Sequence, residues 1–218
     1  MHIIIEILTV GSAAFARMVT GSVVAIVVNN SLRIFGGDMA LIIVGIVHRV
    51  TMFVFMPLFG VVQGMQPIVG FNYGAKKLDR VKETLKLSLI TTTVIATFGW
   101  LIIELFPFAI ISVFTRDAEI IEKGSTIMRI VISVIPLIGI QIVGAAPFQS
   151  LGKAVPSLIL ALLRQVLLFI PLVIILPRVL GLGLLGIWVA YPAADILSVV
   201  LTVLVLRSEL KKMGLCLL

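Results

Sequence analysis

Two opposite charges lie deep inside long apolar stretches of this chain. Arg164 lies about ten residues into one stretch and Asp195 about twelve into the next, which at about 1.5 Å per residue places both near the middle of a lipid bilayer. An unpaired charge at that depth costs a few kcal/mol. Because the short segment 177–183 joins the two stretches, we predict that the side chains form a buried pair. Such a pair is either a fixed strut or a switch in which protonation of Asp195 releases Arg164.

Another apolar stretch contains Pro57 and Pro67 and carries two amides, Gln63 and Gln66. An amide left in contact with lipid costs a few kcal/mol, so we expect these side chains to face a cavity. Both prolines lack the backbone N–H that a helix uses, so we also expect the helix to bend between them.

Glycines in the same stretch predict close packing. Gly60 and Gly64 are one helical turn apart, so they share a helix face and allow a neighbouring helix to approach. On this basis, Gly64→Leu is expected to disrupt the packing of the bundle.

Other polar or flexible side chains extend the cavity hypothesis. Met56 belongs to a stretch of methionine and phenylalanine, whose side chains can repack around dissimilar ligands. Asn30 and Gln141 are neutral polar residues within two further apolar stretches. The predicted cavity residues are therefore Asn30, Met56, Gln63, Gln66 and Gln141.

Residue types for enzyme or metal chemistry are scarce. The chain has one cysteine, Cys216, and two histidines, His2 and His48, which are far apart in sequence. It contains neither a phosphate-binding glycine loop nor a GxSxG nucleophile motif. We therefore predict no enzymatic activity, no metal site and no cofactor.

Six long apolar runs position these residues. Hydrophobic residues make up 61% of the chain and charged residues 12%, which leaves too little polar surface for a water-soluble domain. Each run approaches the roughly 20 residues that a helix needs to cross a bilayer, and the runs are too continuous for barrel strands. We predict an all-α polytopic membrane protein, a single six-helix transmembrane bundle over residues 1–218, with spans at approximately 8–32, 40–72, 84–106, 120–146, 155–176 and 184–206.

The basic residues between the spans predict the orientation of the bundle. One side carries only Arg33, Arg116, Lys123 and Arg178, whereas the other carries Lys76, Lys77, Arg80, Lys82, Lys86, Lys153, Arg207, Lys211 and Lys212. By the positive-inside rule the richer side faces the cytoplasm, which places both termini there and the protein in the plasma (inner) membrane. Trp100 and Trp188 then fall in the outer aromatic belt. The net charge of +7 is explained by topology and lipid headgroups, so we predict no nucleic-acid partner.

Several segments carry a family resemblance. The run MPLFGVVQGMQPIVGFNYGAKK at 56–77 resembles the eighth helix and following loop of the multidrug and toxic compound extrusion (MATE) transporters. The run FTRDAEII at 114–121 is similar to their break between helices nine and ten. Arg164-Gln165, followed by Ile-Pro-Leu at 170–172, resembles the eleventh helix, and GLGLLGIWVAYPAADILS at 181–198 resembles the start of the twelfth. The similarity is collinear over almost the whole chain.

The resemblance implies that this chain is one lobe of a larger transporter. MATE transporters have twelve helices in two six-helix lobes, and this chain resembles the C-terminal lobe. The resemblance therefore implies a partner, which is either a missing N-terminal lobe or a second copy of this chain. One sodium-coupled type of MATE transporter has carboxylates in its seventh and tenth helices. Here the first span has no acid after Glu6 and the fourth none after Glu122. The resemblance therefore implies that the coupling ion, H⁺ or Na⁺, binds in the N-terminal lobe.

Three functions remain open from the sequence. The first is an ion-coupled antiporter lobe that exports amphipathic, often cationic, organic compounds by alternating access. The second is a flippase for lipid-linked oligosaccharides, in which Arg17, Arg49 and Arg164 face an anionic pyrophosphate. The third is a membrane subunit or fragment that does not transport.

Overall fold

The computed structural model describes the backbone of residues 2–150 and 162–212, and the side chains of residues 15, 18–146 and 162–208. The fold is all-α, as predicted, and the described residues form no β-strand. Helices dominate because a helix satisfies its own backbone hydrogen bonds where lipid offers no partner. The first part of the predicted fifth span, 155–161, lies outside the described residues.

The first element, α1, spans His2–Gly74 and is broken at Gly37, whose φ of 62° and ψ of −156° lie outside the helical region. Glycine adopts such a positive φ without the penalty of a side chain. We call the parts before and after the break α1a (2–36) and α1b (38–74). Gly21 and Thr51 line one cavity, although a straight helix would separate them by about 45 Å. The chain therefore reverses direction near Gly37, where a break between the first two spans is predicted.

The other elements follow in a simple order. A turn at 75–77, in which Lys76 has a φ of 58°, leads from α1b into the next helix. A second turn, at 179–182, precedes the last helix. The helices are α2 (Leu78–Leu105), α3 (Pro107–Ser112), α4 (Ala118–Ile132), α5 (Ile135–Ser150), the π-helical α6 (Leu163–Phe169), α7 (Ile170–Arg178) and α8 (Gly183–Lys212).

The predicted fourth span consists of two helices, α4 and α5, that meet at an angle of 43°. Pro136 explains the bend, because its ring occupies the space of the carbonyl four residues earlier, at Ile132, where α4 ends. Ser133, which caps the end of α4, donates its hydroxyl to the Ile130 carbonyl at 2.8 Å. In α1b, by contrast, Pro57 and Pro67 lie inside the helix and the backbone dihedral angles remain helical.

The described helices support a multi-pass membrane protein. Those long and apolar enough to cross a bilayer cover Met18–Gly74, Leu78–Leu105 and Gly183–Ser208, together with the bent pair α4–α5. Their outward faces carry large apolar side chains such as Phe53, Phe71 and Phe98, which are 71%, 75% and 65% exposed. Surfaces of this kind face lipid or another membrane protein rather than water.

Two sequence predictions about packing disagree with the described part of the chain. A Cβ atom added at Gly60 or Gly64 would meet no atom within 4 Å, so none of the described helices packs there. Trp188 is 2% exposed and belongs to the core, although an aromatic-belt position is predicted for it. Sequence spacing identifies which residues share a helix face, but it does not show which neighbour that face meets.

Candidate functional site

A cavity of about 570 Å³ lies inside the bundle, between α1a, α1b, α4, α5, α6 and α8. Its volume is within the range of about 300–1,000 Å³ that is usual for small-molecule pockets. Most of the lining is apolar or aromatic and includes Phe55, Phe169 and Trp188. The polar lining residues are Asn29, His48, Thr51, Arg164, Gln165, Tyr191 and Asp195.

The two charges predicted to pair are in contact at this cavity. The Nε atom of Arg164 donates a hydrogen bond to Oδ1 of Asp195 at 2.8 Å, and Nη2 lies 2.6 Å from the same oxygen. The Asp195 side chain is 8% exposed, whereas that of Arg164 is 32% exposed. A buried carboxylate needs such a partner, because burying an unpaired charge costs several kcal/mol. The pair therefore connects α6 and α8 and neutralises both charges at the cavity wall.

Arg164 lies in a segment of unusual helix geometry. In α6 the backbone hydrogen bonds are π-helical, and the N–H of Ile170 donates to the carbonyl of Gln165, five residues earlier. Short π-helical segments are rare and are found most often at functional sites. Pro171 follows directly and lies in the first turn of α7, where its missing N–H is tolerated. The widened turn thus places an arginine at the cavity and ends where a proline restarts the α-helix.

A buried polar face continues along α8 from the ion pair. Asp195, Ser198 and Thr202 are 6%, 2% and 2% exposed and are spaced by three and four residues, so they lie on one side of the helix. Nε2 of Gln141, in α5, donates to Oγ of Ser198 at 2.8 Å. Its Oε1 atom is buried and has no hydrogen-bond partner in the described part of the chain. The interface between α5 and α8 is therefore polar as well as closely packed.

The five predicted cavity residues occupy different places. None of them is among the residues that line this cavity. Gln141 lies in the α5–α8 interface, Met56 is 61% exposed, and Asn30 and Gln63 are also exposed, whereas Gln66 is half-buried. Met56 and Gln63 therefore lie on the outer surface of α1b, so the described helices place them outside the cavity.

Residues 13–175, most of the chain, match the sequence model of the family described as MatE. The chain belongs to the MatE family.

Curated relatives of this MatE chain are multidrug export proteins. The multidrug export protein MepA of Staphylococcus saprophyticus is 27% identical over 211 residues, which are 96% of this chain and 46% of that protein. MepA of Staphylococcus haemolyticus is 26% identical over 177 residues, with coverage of 81% and 38%. The chain thus spans about half the length, or less, of the curated relatives it matches, as expected for one lobe.

Solved structures show the same fold. The MATE multidrug transporter DinF-BH, solved in complex with a ligand, superposes with a TM-score of 0.83 and 43% identity, over 96% of this chain and 47% of that transporter. A MATE transporter in a bent conformation gives a TM-score of 0.90 at 20% identity, over 98% and 47%. The MatE chain therefore has the fold and about half the length of these transporters, as one lobe of a MATE-type transporter would.

Sequence reasoning missed several lining residues of the MatE lobe. His48, Thr51 and Tyr191 line the cavity, and the Tyr191 ring packs edge-on against Phe169 with centroids 4.6 Å apart. Asn29 lines it, although Asn30 is the predicted residue. The sequence does contain a signal for two of these residues. Asn29 precedes Gly37 and His48 follows it, each by no more than about three helical turns, and the helices on the two sides of this break must face each other.

The arginines considered for a flippase do not form a shared basic surface among the described side chains. Arg164 is neutralised by Asp195, and Arg49 is exposed and does not line the cavity. The side chain of Arg17 lies outside the described residues. The described residues also contain no group of three or more His, Cys, Asp or Glu side chains that could hold a metal ion.

Proposed function

We propose that this chain is the C-terminal lobe of an ion-coupled antiporter that exports amphipathic, often cationic, compounds by alternating access. Its partner in this proposal is an N-terminal lobe of the same fold or a second copy of the chain. The coupling ion is H⁺ or Na⁺, and the surrounding partner is membrane lipid.

The observation that carries this proposal is the match to half of a multidrug transporter. DinF-BH is a MATE multidrug transporter solved with a ligand, and it shares 43% identity with 96% of this chain. The relatives named MepA are multidrug export proteins. The outer face of α1b adds support, because exposed Met56 and Gln63 on a largely apolar helix offer the flexible, weakly polar surface that suits varied ligands.

Transport is tested with a two-lobe protein. When this chain is joined to the first half of DinF-BH and expressed in bacteria that lack their own efflux pumps, accumulation of ethidium and of other cationic dyes is expected to fall several-fold. Accumulation should recover when an ionophore collapses the proton or the sodium gradient, and the ionophore that succeeds identifies the coupling ion. The measurement is cell-associated dye fluorescence over time.

Two matched controls accompany this experiment. This chain alone and the DinF-BH half alone should leave dye accumulation unchanged, unless this chain dimerises into an active transporter. Unchanged accumulation of a broad panel of dyes by the joined protein, with its presence in the membrane confirmed, would count against an efflux function.

The orientation proposed from the basic residues is tested by cysteine labelling. In a Cys216→Ser background, a membrane-impermeant thiol reagent added to intact cells should modify Arg116→Cys but not Asp79→Cys. Both positions are exposed, and substitution at 116 preserves the Asp117 side chain, whose Oδ1 caps α4 by accepting the N–H of Glu119 at 2.9 Å. The opposite labelling pattern would invert the proposed topology and place both termini outside.

A further inference from the structure

We propose that Asp195 is a proton-binding carboxylate inside this lobe, and that its protonation breaks the ion pair and releases Arg164 into the cavity. The proposal rests on the ion-coupled function above and deepens it by naming a proton as the ion and Asp195 as an acceptor. It also departs from the expectation that the coupling site lies in the other lobe.

The contrast in exposure between the paired side chains supports the switch. The Asp195 side chain is 8% exposed and held by α8, whereas Arg164 is 32% exposed and lies against a cavity of about 570 Å³. When a carboxylate oxygen of Asp195 binds a proton from water, the carboxylate loses its charge and the Coulomb attraction to Arg164 ends. The Arg164 guanidinium then has space to move into the cavity, toward other polar lining residues such as Asn29 and Thr51. Return of the proton to water restores the carboxylate and the pair.

The composition of the cavity favours a proton over a metal cation. Asp195 is the only acid among the described residues that line the cavity, and Arg164 nitrogens lie 2.6 and 2.8 Å from its Oδ1 atom. A sodium ion at the same carboxylate would be repelled by the guanidinium and would find few further oxygen ligands. A proton needs only one oxygen. The site therefore fits H⁺ better than Na⁺.

The titratable groups that face Asp195 come from three elements. α6 contributes Arg164, α1b contributes His48, and α8 itself contributes Tyr191. α1a lines the same cavity with the neutral amide Asn29, and α5 lines it with Ile135 and Ile138. Gln141 of α5 instead bonds Ser198, one turn along α8 from Asp195. Within the described residues, Arg164 is thus the charged side chain that responds when Asp195 gains or loses a proton.

Charged residues of the other helices packed on α8 are engaged elsewhere or lie at a helix end. In α4, Lys123 pairs with Glu119, Glu122 is exposed and Arg129 contacts Glu104. In α7, Arg178 lies in the last turn. Neither arginine is among the residues that line the cavity. These side chains are therefore not assigned a part in the switch.

Buried polar groups lie on α8 on both sides of Asp195. Ser198 follows Asp195 by one turn, and the Oε1 atom of Gln141 beside it is buried without a partner among the described residues. The Nε1 atom of Trp188, at the cavity wall two turns before Asp195, is likewise buried and unpartnered. Buried polar atoms nearly always bind a protein group or an ordered water molecule. We therefore assign water-mediated proton exchange to this face of α8.

The helix that carries Arg164, α6, is the element expected to move when Asp195 is protonated. The π-helical hydrogen bonds of α6 depart from the α-helical pattern on both sides, and such segments are rarely long. Loss of the contact with Asp195 removes the ion pair that ties α6 to α8. Proton binding is thereby coupled to the position of α6 against the cavity.

The test uses the two-lobe protein described above, reconstituted in lipid vesicles. The variants are Asp195→Asn, the double variant Arg164→Gln/Asp195→Asn, and Glu104→Gln as a matched control that alters another interhelical arginine–carboxylate pair away from the cavity. We expect the double variant to fold and to exchange dye without a gradient, but to lose dye uptake driven by a proton gradient. Glu104→Gln should retain it. Gradient-driven uptake by the double variant at the wild-type rate would show that the Arg164–Asp195 pair is only a structural strut, and would overturn the proposal.

A spectroscopic measurement separates this inference from the proposed function. Infrared difference spectra of the purified protein between neutral and acidic pH should contain a carboxylic-acid band that Asp195→Asn and the double variant lack and Glu104→Gln keeps. A wild-type protein that moves no dye but shows this band would refute efflux and support the proton site. Active transport with no band assignable to Asp195 would refute the proton site and leave efflux intact.

Discussion

Asp195→Asn is expected to lower the free energy of unfolding of the lobe by about 3 kcal/mol. Removing one partner of a buried ion pair typically costs about 3–5 kcal/mol, because the other charge stays behind without compensation. Arg164 keeps about a third of its side chain exposed, so we expect the lower end of that range. The measurement is equilibrium unfolding of the purified protein in detergent or lipid, followed by loss of helical circular dichroism.

The double variant provides the internal comparison for this result. Arg164→Gln/Asp195→Asn removes both charges and should recover most of the lost stability. Glu104→Gln should cost less than about 1 kcal/mol, because its partner Arg129 lies at 3.5 Å and the side chains are 35% and 49% exposed. Equal losses in Asp195→Asn and Glu104→Gln would mean that burial of the Arg164 pair has no energetic consequence.

Gly186→Ala is expected to be the second large effect, with a loss of about 2–3 kcal/mol. A Cβ atom at Gly186 would lie 2.8 Å from the carbonyl carbon of Leu176 and 2.9 Å from the nitrogen of Pro177. These are backbone atoms of α7, so the clash cannot be relieved by rotating a side chain. The helices α7 and α8 must separate, which opens the core around the buried Trp188. Thermal unfolding of the two proteins in the same detergent measures the difference.

Gly64→Ala is the matched control for the glycine prediction. A Cβ atom there meets nothing within 4 Å in the described residues, and alanine is favoured over glycine within a helix by up to about 1 kcal/mol. The stability of the isolated lobe should therefore stay unchanged or rise slightly. A loss at Gly64 as large as that at Gly186 would contradict the open space beside Gly64 among the described residues.

The predicted drug-contact residues and the polar cavity lie in different parts of the lobe. Met56 and Gln63 are exposed on α1b, outside the cavity, whereas Asp195 and Arg164 are at its wall. Drug contact and proton binding are thus assigned to different places in our proposals, and α1 connects them because α1b carries Met56 and also lines the cavity through Thr51. In this arrangement a compound bound at the outer face of α1b makes no direct contact with Asp195, and we expect a movement of helices to couple the two places.

The sequence alone predicts the all-α membrane fold and the contact between Arg164 and Asp195. These features depend on local quantities: the length of an apolar run, and the cost of a charge at a given depth with one opposite charge on the adjacent helix. The family resemblance adds the expectation of one lobe out of two. None of this requires knowledge of how the helices are rotated about their axes.

Apart from the Arg164–Asp195 pair, only the tertiary structure determined which side chains meet. Consecutive residues on a helix point about 100° apart, so the rotation of α1a about its own axis decides that Asn29 rather than Asn30 lies at the cavity. In the same way Gly186, and not Gly64, contacts a neighbouring backbone, and Trp188 enters the core. The packing of all helices together determines these contacts. Each helix face is buried only if a complementary surface from a distant part of the chain lies opposite it.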